Sequence, residues 1–298
     1  IADVDFSLIQ GGEAEGIFFE GQNDPTLNWG DNNLTNGNVM FNDLANDDYR
    51  LSNYSPAIGA GTGNGAPRND LNGNLRPNPS GSNPDMGAYE NALGTQSHNE
   101  LIYVSTEGSD VGSVGIESSP FETIQAAIDY SLTGDSILVH PGTYVENIDF
   151  KGKNIVLGSL FITTQDTSYV GSTIIDGNEL GSVVTFQNEE TLSAKLSGFT
   201  IQNGSADNGG GVFVQGSSPT LTYLLVKDNQ ALEGGGLYIH SSAPLLENLT
   251  ISSNVSYARG GGMMAWQDSY LTMKNSLIRD KDQVEILIKH QDVKQNFL

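Results

Sequence analysis

The stretch from Gly198 to Tyr270 holds groups that could act on a polymer substrate: the carboxylates Asp207, Asp228, Glu233 and Glu247, and the cations Lys227 and Arg259. Hydrolysis of a glycosidic bond uses two carboxyl groups flanking the scissile oxygen. Proton abstraction beside a uronate carboxylate uses a positioned base and a cation that neutralises that carboxylate. Either reaction needs its groups at matching points of the fold. Here the four carboxylates fall at different phases of a 25-residue period, and Lys227 and Arg259 fall at different points of their own units. They read as solvated surface charges, and no catalytic residue is assigned.

A second set of residues does keep phase. Phe213, Tyr238 and Met264 form one series, and Gln215, His240 and Trp266 form another two residues further on. Aromatic rings on a solvent face can stack on sugar rings, and exposed apolar patches mark binding surfaces. Phe213, Tyr238, His240, Met264 and Trp266 are therefore the candidate ligand site, all expected to point outward.

The period that aligns them comes from three glycine triplets: Gly209, Gly210 and Gly211; Gly234, Gly235 and Gly236; Gly260, Gly261 and Gly262. A polar stretch precedes each triplet and a short apolar strand follows it. A fixed period of this length marks a solenoid whose rungs need neighbours to bury their apolar face. Phe199 with Ile201, Leu224 with Val226, and Leu249 with Ile251 are pairs spaced by two that recur every 25 residues. Val212 and Val214, Leu237 and Ile239, and Met263 and Ala265 repeat the pattern after each triplet, so both strands are expected to turn these residues inward. A turn of 25 residues filled by two or three strands has no room for a helix of ordinary length, which excludes leucine-rich and ankyrin repeats.

The glycines read as corners, where the chain needs positive φ or close approach between rungs. A phosphate-cradling loop would need a following helix, and none is present. Asn203, Asn229 and Asn254 follow the first strand of successive rungs, with Asp280 in the fourth. They are expected to stack as a ladder that satisfies turn backbone. The predicted fold is all-β, a parallel β-helix.

One helix is predicted, near residues 121–131. Phe121, Ile124, Ala127 and Ile128 form its apolar stripe, and Ser119-Pro120 forms its entry. It is expected to cover the open end of the solenoid, where strand edges and apolar rung interiors would meet water. Two domains are expected. Residues 1–95 contain short runs (Val4 to Ile9, Gly16 to Phe19, Val39 to Phe41) and then a Gly-, Pro- and Asn-rich stretch over 51–90. They read as rungs of β-structure followed by an ordered loop or terminal cap. A linker lies around Asn91 to Asn99, and a second β-helix starts near residue 100 and runs to 298. An ion pair from Arg76 to Asp70 or Asp85 is expected to fix the cap.

Composition narrows the partners. With 36 acidic and 13 basic residues among 298, the formal net charge of −23 repels a phosphate backbone or an anionic membrane, so nucleic acid is excluded as a partner. The absence of cysteine excludes disulfides and thiolate chemistry, while 37% hydrophobic residues exclude a wholly disordered chain. No segment approaches the roughly 20 apolar residues of a membrane span. No cofactor is expected. Calcium is compatible with the acidic composition, and Asp70-Leu71-Asn72-Gly73 resembles the first half of a calcium loop, but the closing ligands are missing. The chain opens in an alternating apolar run from Ile1 and reads as an internal fragment, expected to be monomeric.

These residues resemble known families. Asn229 to Tyr238, with its glycine triplet, is similar to the repeats of polymorphic outer-membrane proteins and of bacterial right-handed parallel β-helix proteins generally, over roughly 155–281. Phe121 to Ile128 followed by Ile137 to Glu146 resembles the entry of pectinesterase and pectate-lyase-like β-helices, whose helix caps the first rung. Asp48 to Leu51, Ser55 to Ile58, Asp70 to Pro77 and Asp85 to Glu90 resemble the terminal module called the choice-of-anchor Q domain. The resemblance implies two consecutive right-handed β-helices, with residues 1–95 as the terminal rungs and cap of a preceding one and 100–298 as the start of the second, exported to a bacterial cell surface or beyond. The Gln- and Asp-bearing motif of pectinesterases is missing from Phe199 to Val214. The expected function is non-catalytic adhesion or binding of polysaccharide or cell-surface glycan. The alternative is a polysaccharide lyase or glycoside hydrolase whose active rungs lie outside this stretch.

Overall fold

Alternation of period two at 212–215, 237–240 and 263–266 places Val212, Val214, Leu237, Ile239, Met263 and Ala265 on one side of a sheet. In a computed structural model all six are at most 1% exposed. The structure describes residues 2–4, 7, 27–30, 32–33, 41–43, 46–110, 113–279 and 287–289. Val212 pairs with Leu237 and Leu237 with Met263 in parallel register, so each residue stacks on its equivalent one rung away. The protein is a right-handed parallel β-helix.

Three parallel sheets form its walls, and one rung shows the order. The chain runs through Lys195–Ser197 in the first wall, Thr200–Gln202 in the second and Val212–Gln215 in the third, then returns to the first at Thr220–Thr222. The inward residues fill one continuous core from Ile102 to Met273, with the rings of Phe150 and Phe186 packed in it at a centroid distance of 4.2 Å and tilted by 35°. The predicted inward pairs at 199 and 201, 224 and 226, and 249 and 251 are all in this core.

The helix spans Ile124–Tyr130. It begins later than the sequence suggests: Thr123, not Ser119-Pro120, is its N-cap, and its hydroxyl accepts the Ala126 amide. Phe121 precedes the helix in an extended bridge with Val104 and is buried there. Ile124, Ala127 and Ile128 belong to the solenoid core, in contact with the first strands of the stack. Two further short helices, Phe161–Thr164 and Ser168–Ser172, interrupt the connection between walls. Their sequence, FITTQDTSYVGS, carries no helical stripe, and the sequence reading missed them.

The asparagines divide into two roles. Asn229 and Asn254 are buried and form the ladder: Asn229 Nδ2 donates to Asn254 Oδ1 at 3.0 Å, and the Gly204 amide donates to Asn229 Oδ1 at 2.8 Å. Asn203 is not a rung of it, contrary to the expectation. It lies one position earlier in phase, with φ of 57°, in register with Asp228 (55°) and Ser253 (59°). At this left-handed corner the side chain turns outside the solenoid, and Asn203 Nδ2 donates to Asp176. Asp280 lies outside the described residues.

The chain forms two compact units, Ile1–Asn99 and Glu100–Leu298. In the first, Ala2–Val4 pairs in parallel with Leu27–Trp29, and Phe41–Asp43 pairs antiparallel with Asp48–Leu51. The run at Gly16 to Phe19 lies outside the described residues, as do Ile9 and Val39. The turn-rich segment is organised by carboxylates. Asp70 accepts the amides of Asn72, Asn74 and Glu90 and the side chain of Asn74, a closed set of protein donors where a half calcium loop was noted. Arg76 pairs with Glu90 at 3.0 Å, the two side chains only 9% and 0% exposed, instead of with Asp70 or Asp85. Glu90 is the partner because its oxygens also take the Asn78 and Asp85 amides, which holds the carboxylate where the guanidinium arrives.

Candidate functional site

The outer face of the third wall carries the candidate columns. Register pairing aligns Asp149, Thr185, Phe213, Tyr238 and Met264 along one line, and Gln215, His240 and Trp266 along the next. The columns exist as spacing predicts, but their exposure does not follow from it. Phe213, His240 and Trp266 are half-buried, whereas Tyr238 is 8% and Met264 1% exposed. Tyr238 and Met264 thus do not face solvent as expected.

The cover comes from neighbours in the column and from the glycine corners that follow a small parallel sheet, the covering sheet, Ser205–Asn208, Gln230–Glu233 and Val255–Arg259, which the polar stretch before each glycine triplet forms. The triplets return the chain from this sheet to the wall. A methyl group added at Gly209 would meet Tyr238 Cβ, and one added at Gly260 would meet Met264 Cβ. Burial raises the Tyr238 phenol, and the charge of Glu233 on the covering sheet adds to the effect.

The rings that remain accessible form an ordered strip. Phe213 and Tyr238 stack at 5.8 Å and 7° between planes, and Tyr238 and His240 at 6.3 Å and 4°. His240 Nε2 lies 3.0 Å from Gln267 Oε1, which fixes the imidazole beside Trp266. Nδ1 of His240 is enclosed without a hydrogen-bond partner. Flat, locked rings that keep a polar edge suit the face of a sugar, because little rotamer freedom is lost on contact.

The opposite end of the same wall is polar, and the sequence reading did not single it out. Gln187 Nε2 donates to Asp149 Oδ2 at 3.2 Å, Gln125 Oε1 accepts the Asp149 amide at 2.8 Å, and Lys151 and Gln125 both reach Asp129. These groups satisfy one another and tie the helix to the wall. Glu146 does the same from the second wall, its carboxylate accepting the Ile124 and Gln125 amides at 2.8 and 2.9 Å.

The groups weighed for catalysis are scattered. Asp207 and Glu233 lie on the covering sheet, Asp228 pairs with Lys227 at a corner at 2.8 Å, Glu247 lies on the first wall, and Arg259 sits in register opposite Glu233. Among the described residues no three His, Asp or Glu side chains converge as metal ligands.

Residues 106–283 match a family described as "Protein of unknown function (DUF1565)". The chain belongs to the DUF1565 family. No protein of curated function matches this DUF1565 chain. Among solved structures it is similar to a pectin methylesterase from carrot, at 17% identity and a TM-score of 0.43, over 62% of this chain and 54% of that one. It is also similar to the pectin methylesterase PemA from Erwinia chrysanthemi, at 13% identity and a TM-score of 0.36, over 63% and 68% respectively. The chain spans about half the length of the carrot protein.

Proposed function

We propose that this DUF1565 chain is an exported, non-catalytic β-helix of surface or adhesin type that holds a polysaccharide against its third wall. The observation that carries the reading is the in-register pair His240 and Trp266, with Phe213 in the neighbouring column, all three partly open to solvent and braced by Tyr238, which stacks on both Phe213 and His240. Tyr238 and Met264, in the same column as Phe213, brace the strip by packing instead of touching ligand. The dispersal of carboxylates and bases over different sheets favours binding over bond cleavage.

The first unit is the terminal cap of a preceding solenoid in this reading, similar to a choice-of-anchor Q module, with the Asp70, Asp85 and Glu90 hydrogen bonds holding its turns. Repeats like those of polymorphic outer-membrane proteins would place the second unit at a bacterial surface. The competing reading is a polysaccharide lyase or hydrolase with active rungs elsewhere in a longer polypeptide. Incubation with pectate, alginate and neutral glucans in the presence of calcium separates the two. The binding reading expects no rise in unsaturated-uronate absorbance and no new reducing ends. Sustained product formation that purified protein carries through chromatography overturns it.

A further inference from the structure

Beyond the third wall, the left-handed corners and the covering sheet enclose a groove of about 220 Å³. Asn203, Asp228 and Ser253 occupy its one side, the equivalent corner of three successive rungs, each with φ between 55° and 59°. Gln230 lines the other side, and Glu179 closes one end, its amide donating to the Asn203 carbonyl at 2.7 Å. Tyr257 is bonded to one of the lining residues and is 70% exposed yet not free to swing: its hydroxyl donates to Gln230 Oε1 at 2.7 Å, and Gln230 Nε2 in turn donates to Ser205. A ring left this open to water while its hydroxyl is fixed loses little freedom when a ligand covers it.

We infer that this groove is a second carbohydrate site, which takes neutral pyranose units of an extended glycan. Carboxylate, amide and hydroxyl side chains facing one groove match the vicinal hydroxyls of a sugar, and Tyr257 supplies the face on which a ring packs. Successive rungs advance about 4.8 Å, so the corner series offers similar polar contacts repeated along the direction a sugar chain would follow. Charge selects against acidic sugars. Glu179 and Asp228 both line the groove, Lys227 offsets only Asp228, and the whole chain carries −23. A uronate would bring like charge into a site already negative. None of Phe213, His240 and Trp266 lines this groove, so it stands whether or not that strip binds.

Isothermal titration of the 298-residue chain with cellohexaose, maltohexaose and hexagalacturonate tests this, with Trp266 fluorescence recorded in parallel. Saturable heat from at least one neutral hexaose, weak or absent heat from hexagalacturonate, and a fivefold to tenfold loss of affinity in Tyr257→Ala are expected. Tyr257→Phe, which keeps the ring, retains most of the affinity. The inference is overturned by no heat with either neutral hexaose, by hexagalacturonate binding as tightly as they do, or by Tyr257→Ala binding like the parent. The two sites are read separately, because an oligosaccharide on the wall strip alters Trp266 emission and one in the groove does not.

Discussion

Asn229 donates from Nδ2 to Oδ1 of Asn254 at 3.0 Å, one rung further on, and the same nitrogen reaches the carbonyls of Ile201 and Lys227. The Gly204 amide on the preceding rung completes the set by donating to Asn229 Oδ1. One buried side chain thus satisfies backbone groups of neighbouring turns at the corner where they would otherwise be stranded.

Asn229→Ala strands several buried groups at once and is expected to cost about 3 kcal/mol, from the 1–3 kcal/mol penalty per unsatisfied group. Asn203→Gly keeps the left-handed corner and is expected to stay within about 0.5 kcal/mol of the parent. Urea unfolding of the two variants side by side checks the difference in role.

The middle glycines of the triplets are packing constraints. A methyl group at Gly235 would run into the carbonyl oxygens of Val255 and Gly261, both backbone and neither able to yield. Gly235→Ala is expected to cost about 3 kcal/mol or more. Gly216 also has positive φ, 61°, but its added methyl meets nothing. Gly216→Ala should therefore lose only about 1 kcal/mol of backbone strain. Thermal unfolding followed by far-ultraviolet circular dichroism distinguishes them.

Arg76 and Glu90 form the charged centre of the first unit's turns. Arg76→Ala leaves a buried carboxylate without its cation and is expected to destabilise that unit by about 3 kcal/mol. Hydrogen exchange should localise the effect, with amides of 51–91 losing protection while those of 195–266 keep theirs.

Glu146 gives the pH dependence a definite sign. Burial pushes its carboxyl above the ordinary value of 4.5, the amides of Ile124 and Gln125 pull it back in part, and the charge of Asp110 pushes it up again. The folded state therefore holds this proton to higher pH than the unfolded chain does. The group's contribution is fully present below 4.5 and is lost as pH rises through the folded value. Glu146→Gln cannot lose a proton, so its melting temperature should gain on the parent's between pH 4 and pH 7. A constant gap across that range contradicts the assignment.

The sequence made the solenoid legible because two signals repeat together: alternation of period two marks inward residues, and the glycine triplets fix where each turn closes. Exposure on the outside was not legible. Alternation says that Tyr238 and Met264 leave the core, but not that column neighbours and glycine corners cover them. The sheet that leads into those corners is built from SADN, QALE and VSYAR, stretches without apolar alternation. The same gap hid Tyr257, whose placement beside a groove depends on strands the pattern does not announce. Asn203 was assigned to the ladder because it follows its strand closely, yet a shift of one residue sends its side chain out of the solenoid where those of Asn229 and Asn254 enter it. The Arg76 pairing escaped because Glu90 lies 14 residues away, across turns whose closure the sequence does not reveal.

The central claim is that the strip at Phe213, His240 and Trp266 binds sugar rings. Titration of the chain with a panel of neutral and acidic polysaccharides, followed by Trp266 fluorescence in the parent and by affinity electrophoresis in the parent, His240→Ala and Trp266→Ala, tests it most directly. Binding at the strip gives a saturable change in Trp266 emission with at least one polysaccharide, and retardation reduced about fivefold or more in both variants. Unchanged emission across the panel, or variants retarded like the parent, contradicts it.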